Sequence, residues 1–185
     1  MFPAYQTSAQ QTVDPGCLKA DQNFCRDKDS IPENICNSTH EIEIRLAIRK
    51  IEKLHEDYSQ IILTYDNSNW KATKYNFVLR EVSANPYKAI YIIDKTIPLK
   101  AMKGFNQLFE SLKVNDIFCL PDQRDILADT LINGGVFYDL TFKVGKNFRS
   151  YFFFNPNVYT ARSSRKEFTK YKNIADVFEK QLSSQ

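Results

Sequence analysis

The sequence contains few of the residues that build catalytic sites. It has two histidines, His40 and His55, and it contains no GxSxG, HExxH, P-loop or dinucleotide-binding motif. Cys119 lies in an apolar run, where thiols are usually buried and unreactive, and no local motif supports a dyad of Cys119 with His55. The sequence therefore favours a non-enzymatic protein that holds no cofactor.

Long apolar runs are also missing. No run reaches the roughly 20 residues that a membrane-spanning helix needs. The first eleven residues lack the basic start and apolar middle of a signal peptide, so we expect an exported form to carry its leader outside this sequence. With 43% apolar and 25% charged residues, the 185-residue chain has the composition of a globular domain, and its length allows an appended arm.

Glycine is scarce and aromatic residues are abundant, which favours packed strands over loops. There are five glycines, whereas 14% of the residues are aromatic. The clearest pattern is a hairpin over residues 134–156, where side chains alternate before and after Gly145-Lys146-Asn147. A three-residue turn at this point would pair Leu140 with Phe152. The buried face is then predicted to contain Tyr138, Leu140, Phe142, Phe152 and Phe154.

The residues after Ser38 are expected to form a helix. Ser38 and Glu41 fit a capping box, and apolar residues then recur at helical spacing as far as Tyr58. Residues 41–47 also alternate as a strand would, but the length of the pattern and its later spacing favour the helix. Its core side is predicted to be Ile44, Ile48, Ile51 and Leu54, and its solvent side Arg49, Lys50 and Lys53.

Further strands and two more helices are expected in the rest of the chain. The strand patterns cover residues 61–65, 70–79, 89–93 and 117–120, and the helical patterns run from Pro98 to Leu112 and from Phe168 to Leu182. The predicted fold class is α+β, with an antiparallel sheet of hairpins packed against amphipathic helices. This single domain covers residues 39–185 and follows an irregular cysteine-bearing arm over residues 1–38.

The arm holds three of the four cysteines, and two chemistries fit them. Cys17, Cys25, Cys36 and His40 follow the order of a CCCH zinc finger, although the ten residues between the second and third cysteine are a long spacing. Disulfides are the alternative. We favour a Cys25–Cys36 bond, because the polar loop between them has too few apolar residues to order itself by burial. Cys17 and Cys119 would then pair and tie the arm to the main domain, leaving no metal site.

One segment that begins in the arm has a recognisable pattern. It runs from Cys25 through Pro32-Glu33 and Ile35-Cys36 into the predicted helix that ends at Tyr58. This pattern resembles the cysteine-stapled segment of LprI-type lysozyme-inhibitor-like bacterial proteins. The resemblance implies export and a disulfide, and therefore a periplasmic or cell-envelope location. A cytoplasmic location is the alternative.

Basic residues are concentrated in one part of the chain. The segment from Lys143 to Lys172 contains eight basic residues and one acid, while the whole chain has a net charge of +3. A basic face of this kind can meet nucleic acid, anionic lipid or an acidic protein. The alternative is a solvated face that is balanced by neighbouring acids. The candidate contact residues are Arg149, Tyr151, Arg162, Arg165 and Lys166.

Together these patterns favour an interaction protein over an enzyme. The first hypothesis is a non-enzymatic exported bacterial binding module of inhibitor or immunity type, whose protein partners include acidic surfaces. The alternative is a nucleic-acid-binding protein, which would stack bases on Tyr151 and bind phosphates through Arg149 and its basic neighbours. The alternating phenylalanines of the hairpin argue for a core role and against this alternative.

Overall fold

The computed structural model describes Cys17 and residues 34–52, 55–81, 89–127 and 134–184. Within these residues the chain forms seven strands, four helices and a short 3-10 turn over Ile35–Asn37. The strands are β1 (Ile42–Glu52), β2 (His55–Asp66), β3 (Asn69–Glu81), β4 (Ala89–Ala101), β5 (Gly135–Val144), β6 (Asn147–Phe154) and β7 (Leu182–Ser184). The helices are α1 (Phe105–Val114), α2 (Gln123–Ile126), α3 (Pro156–Arg162) and α4 (Lys166–Lys180).

The seven described strands belong to one antiparallel sheet with the order β6-β5-β1-β2-β3-β4-β7. β1 to β4 follow one another along the sheet, and the β5–β6 hairpin pairs with the other side of β1. β7 joins the outer edge of β4, where Ser184 pairs with Leu99. The sheet and its helices confirm the predicted α+β class.

The hydrophobic core lies on one face of this sheet, between the strands and the helices. Ile44, Leu46 and Leu63 belong to it and are fully buried. The helices contribute Leu108, Phe109, Leu112, Phe168, Tyr171, Ile174 and Phe178 to the same core. α4 covers most of the segment in which the last helix was predicted. None of the described helices is both long and apolar enough to cross a membrane.

The helix predicted after Ser38 is wrong, since this segment forms β1 and the start of β2. β1 is an interior strand, and both of its faces are covered. Ile44 and Ile48 pack into the core, while Glu43 and Arg45 are buried as an ion pair on the opposite face. Pairing with the strands β2 and β5, together with the high β-propensity of the isoleucines, outweighs the helical spacing.

The other residues of the predicted helix have mixed environments. Ile51 is half-buried, Arg49 is half-exposed and Lys50 is exposed. Lys53 and Leu54 lie outside the described residues.

The hairpin of β5 and β6 is confirmed, but its turn is one residue shorter than predicted. Val144 pairs with Asn147, so the loop contains only Gly145 and Lys146. Gly145 has a φ of +59°, the positive value that the first position of a type II′ turn requires. The shorter turn shifts β6 by one residue. The observed pairs are Leu140 with Tyr151 and Tyr138 with Phe153.

This shift exchanges the two faces of β6. Tyr151 and Phe153 lie in the core, whereas Phe152, which was predicted to be buried, is half-buried on the opposite face. Phe154 lies on that face too, but Tyr159 of α3 packs against it with the ring centres 5.1 Å apart. The prediction is therefore wrong for Phe152 and confirmed for Tyr138, Leu140, Phe142 and Phe154.

The other predicted elements differ mainly at their ends. The β2–β3 hairpin is confirmed, with Asn67 and Ser68 as its turn. The strand predicted over residues 89–93 is the first part of the longer β4, and the helix predicted from Pro98 is α1, which begins only after Gly104. Residues 117–120 form turns and not a strand, because two of their N–H groups bond to the carbonyl of Asp116 at 2.8 and 3.1 Å.

Candidate functional site

β3 and β4 stay paired beyond the point where β2 stops pairing with β3, and there they form a two-stranded ribbon. The described pairing of β2 with β3 ends at Tyr58 and Phe77, whereas β3 continues to pair with β4 as far as Glu81 and Ala89. The ribbon residues beyond Phe77 therefore have one strand neighbour in the described sheet, and fewer groups are available to bury their side chains.

Large apolar side chains are exposed on this ribbon. Of the six large hydrophobic residues that are exposed in the described chain, four lie here: Val78 (43%), Leu79 (55%), Ile90 (49%) and Ile93 (39%). Single exposed apolar residues are normal, but a cluster marks a binding surface. The strand register places Leu79 and Ile93 on one face of the ribbon and Val78 and Ile90 on the other, so both faces expose apolar residues and the ribbon is the candidate site.

Three aromatic rings lie beside Leu79 and Ile93 on the face of the ribbon that points away from the core. The ring centre of Tyr58 is 4.6 Å from that of Phe77 and 4.8 Å from that of Tyr91. The strand register puts Leu79 opposite Tyr91 and Ile93 opposite Phe77. We refer to Tyr58, Phe77, Leu79, Tyr91 and Ile93 as the apolar ribbon surface.

Both tyrosines of the apolar ribbon surface stay neutral at physiological pH. Burial raises the pKa of Tyr91, and its hydroxyl donates to Glu56 Oε1 at 2.8 Å, so that the pKa reaches about 12. Burial also raises the pKa of Tyr58, with a further contribution from the charge of Asp139. Each ring thus combines apolar area with a neutral hydroxyl, which is a favourable combination at protein interfaces.

A polar cavity of about 350 Å³ opens beside the same strands. Its charged lining has both signs, with Lys50 and Lys74 as well as Asp57 and Asp94. Asp94 is the extra residue of a β-bulge opposite Asn76 and Phe77, and bulges often re-aim a side chain. The remaining lining residues are Ile48, Tyr58, Ser59, Asn76, Phe77 and Val78. The cavity has no imidazole to activate Ser59, and no metal-binding cluster occurs in the described chain.

Arg149 and Tyr151, two of the predicted contact residues, have internal partners. Arg149 donates to three carbonyl oxygens, those of Cys17 (3.2 Å), Phe118 (2.7 Å) and Leu120 (2.5 Å). Tyr151 is 1% exposed, and its hydroxyl donates to the carbonyl of Ile117 at 2.9 Å. These two side chains therefore hold the turns of residues 117–120 against β6.

The other three predicted contact residues form an exposed basic group. Arg162 ends α3, Arg165 precedes α4, and Lys166 begins it. All three are exposed. An acidic protein surface is a suitable partner for such a group, and this contact stays a prediction.

The described cysteines are in disulfides, so they do not form a zinc site. Cys17 is bonded to Cys119 with the Cα atoms 5.0 Å apart, which confirms the predicted link between arm and domain. Cys36 is also in a disulfide, and its predicted partner, Cys25, lies outside the described residues. A bonded cysteine is neither a thiolate ligand nor a nucleophile. This excludes both the CCCH finger and the dyad of Cys119 with His55.

The sequence predicts the strands of the ribbon but not their exposure. Alternation places Phe77 and Leu79 on one side of a strand and identifies residues 89–93 as an apolar strand. Alternation cannot distinguish a covered apolar face from an open one, because the residue types are the same in both cases. The exposure depends on where β2 stops pairing with β3, which only the assembled sheet reveals.

Comparisons with known proteins do not identify a family. No protein-family model matches the chain, and no curated protein matches its sequence. The function is therefore inferred from the geometry of the chain itself.

Proposed function

We propose that this chain is a non-enzymatic exported binding module of a bacterial envelope, of inhibitor or immunity type, whose protein partner contacts the apolar ribbon surface. The observation that carries the proposal is the exposure of Leu79 and Ile93 beside three packed aromatic rings. A partner that covers such apolar area gains about 25 cal/mol per Å². Tyrosines contribute strongly to the energy of many protein interfaces.

The residues around the apolar ribbon surface indicate the chemistry of the partner. The centre of the surface is aliphatic and aromatic, and the exposed carboxylate of Glu56, which accepts from the Tyr91 hydroxyl, lies beside it. A complementary partner presents an apolar patch and polar groups that can bond to the tyrosine hydroxyls. The negative charge of Glu56 beside the surface favours a protein over a polyanion, because like charges repel at an interface.

Two observations support an exported location. The Cys17–Cys119 disulfide and the bonded state of Cys36 favour an oxidising compartment. The resemblance of the segment from Cys25 to Tyr58 to LprI-type proteins implies the same location. The predicted helix was part of this resemblance, but its residues form strands. The cysteine pattern alone therefore supports the resemblance.

The nucleic-acid-binding alternative has less support. It relies on Tyr151 as a stacking platform and on Arg149 as a phosphate ligand. Tyr151 is buried, and Arg149 donates to three carbonyl groups. Neither side chain is therefore presented to a base or a phosphate.

Site-specific photo-cross-linking in the organism of origin tests the proposed contact. A photoreactive phenylalanine analogue replaces Leu79 in one variant, and it replaces Val114, which is 77% exposed on α1, in a matched control. We expect a discrete adduct with another protein from position 79 and none from position 114. The same adducts from both positions, or no adduct from position 79, would contradict the proposal.

The proposed location is tested separately by alkylating free thiols in intact cells. Cys17 and Cys119 are expected to resist alkylation until a reductant is added, because they are bonded to each other. Peptide mapping by mass spectrometry reads out both positions. Free thiols at both cysteines in growing cells would overturn the exported location but not the protein contact.

A further inference from the structure

The two edges of the sheet differ in how their backbone groups are used. At the β6 edge, the N–H of Phe152 donates to Asp122 Oδ2 at 2.9 Å, and the N–H of Phe154 donates to Gln123 Oε1 at 2.8 Å. Side chains of α2 and its N-cap thus protect that edge from pairing with another strand. At the other edge, β7 covers β4 only from Leu99 onward.

The rest of the β4 edge, residues 89–98, is open in the part of the chain that the structure describes. Neither a strand nor a side chain of that part bonds to its outer backbone groups. Unpaired N–H and C=O groups in a long edge strand are a template for another strand. Ile90 and Ile93 are 49% and 39% exposed on this strand, so the first half of the edge, residues 89–93, is apolar as well as open, while Asp94 and Lys95 in the second half are exposed and charged.

We propose that β4 is the dimerisation strand of this protein and pairs antiparallel with β4 of a second copy, with Ile93 on the two-fold axis. Pro98 has no N–H to donate, so it ends the usable edge and leaves residues 89–97. With the bulge residue Asp94 outside the ladder, the residues from Ile90 to Ile97 form a ladder of seven, and Ile93 is its midpoint. A symmetric antiparallel pair over this ladder therefore places Ile93 against its own copy.

The β-bulge at Asp94 lets side chains match on both faces of this pair. With Asp94 outside the ladder, the pairs across the dimer are Ile90 with Ile97, Tyr91 with Thr96, and Ile92 with Lys95. The register of β4 with β3 puts the two members of each pair on the same face of the sheet, as cross-strand neighbours require. Lys95 does not meet its own copy, so these like charges stay apart.

Because the β6 edge is capped, pairing at the open β4 edge gives an assembly of two copies. Each chain has one open edge in its described sheet, and a two-fold pair uses both of them, so the assembly closes at two copies. The pair also sets two apolar ribbon surfaces side by side, because Tyr91 and Ile93 lie on one face. The dimer does not depend on the proposed function, since a single copy presents the whole surface.

Sedimentation velocity of the full chain over a range of concentrations tests the dimer. The wild type is expected to show a reversible monomer–dimer equilibrium. Ile93→Lys places two like charges on the axis and should weaken the dimer at least about tenfold, equivalent to about 1.4 kcal/mol. Val114→Lys is the matched control at another exposed apolar position, and it should leave the equilibrium unchanged.

A second pair of variants keeps the test decisive if Ile93→Lys does not fold. Ile93→Cys should form a covalent dimer under mild oxidation, and Val114→Cys should not, because only position 93 lies on the axis. A wild type that stays monomeric, a dimer that Ile93→Lys leaves intact, open-ended assemblies, or equal cross-linking of both cysteine variants would overturn the proposal. A hetero-protein adduct from position 79 is independent of all these outcomes.

Discussion

At the scale of single residues, three charged side chains are buried in the sheet on the face opposite the core. Glu43, Arg45 and Lys143 are 2%, 6% and 7% exposed. Arg45 forms an ion pair with Glu43. Lys143 lies opposite Glu43 in the pairing of β1 with β5. The ammonium group of Lys143 also donates hydrogen bonds to the carbonyls of Ser38 and His40. Each buried charge is thus compensated by its neighbours, and the loss of one partner leaves another charge unpaired.

The Arg45→Met substitution tests this compensation. It removes the bonded partner of Glu43 while keeping a similar volume, so we expect the free energy of unfolding to fall by about 3–5 kcal/mol. The double variant Glu43→Leu with Arg45→Met removes both charges and should recover part of this loss. Urea denaturation measures the free energy of unfolding of the single and the double variant. A single variant as stable as the wild type would contradict the account of the pair.

Arg149 and Arg162 allow a matched comparison between an internal and an exposed arginine. Arg149→Ala should lower the free energy of unfolding by about 2 kcal/mol or more, because charge-assisted hydrogen bonds to carbonyl oxygens are lost. Arg162→Ala changes an exposed residue and should stay within about 0.5 kcal/mol. Thermal denaturation checks the difference, and equal effects would mean that Arg149 does not hold the turns of residues 117–120.

At the scale of elements, the two-residue turn at Gly145 decides which face of β6 is buried. Phe153→Ala removes a fully buried ring and should cost about 3–5 kcal/mol of stability. Phe152→Ala removes a half-buried ring on the other face and should cost clearly less. Chemical denaturation of the two variants measures the register directly. A larger loss of stability for Phe152→Ala than for Phe153→Ala would contradict this register and favour the three-residue turn.

The sequence predicts element types well where the periodicity is unambiguous and fails where two periods compete. The β2–β3 and β5–β6 hairpins and α4 follow from alternation or helical spacing. Residues 41–47 satisfy both periods, and the choice is made by β5, which pairs with β1 from about 90 residues away in sequence. The register of β6 depends on one loop residue, which alternation alone does not specify. No local signal encodes such distant pairing.

The candidate site was harder to predict than the fold. Arg149 and Tyr151 have residue types that suit a binding surface, but their partners are carbonyl groups of residues 117–120 that the sequence does not place beside β6. The apolar ribbon surface consists of ordinary strand residues, which composition cannot distinguish from core. Its exposure follows from the unequal lengths over which neighbouring strands pair.

The capped edge of β6 also makes stability depend on pH. Burial raises the pKa of Asp122. Hydrogen bonds from the Arg124 side chain and from the N–H groups of Arg124 and Phe152 lower this pKa by a larger amount, so the net pKa is below its usual range. A lowered folded-state pKa stabilises the fold above the unfolded value of about 3.9, and this contribution is lost as the pH falls through the folded-state pKa.

Asp122→Asn therefore has a pH-dependent effect. The variant should be about 1–2 kcal/mol less stable than the wild type near neutral pH, because the charged acceptor is lost. The difference should shrink as the pH falls below about 4. Melting temperatures of both proteins over a series of acidic buffers give the comparison. A difference that does not change with pH would show that the charge of Asp122 does not contribute.

At the scale of the whole molecule, the covalent tether and the apolar ribbon surface lie in different parts of the sheet. Arg149, which bonds to the carbonyl of Cys17, is level with Phe142 of β5 and, through the strand register, with Leu63 of β2. The ribbon begins five residues beyond Ala72, the partner of Leu63 on β3. The Cys17–Cys119 bond therefore lies away from the proposed contact.

The affinity of the partner cross-linked at position 79 measures the central claim most directly. Titration calorimetry compares the wild type with Leu79→Lys and with Val114→Lys, which introduces the same charge at another exposed apolar site. Leu79→Lys should weaken binding by more than about tenfold, because it places an uncompensated charge in an apolar contact. Val114→Lys should bind as the wild type does. Equal affinities for all three proteins would contradict a partner contact at the apolar ribbon surface.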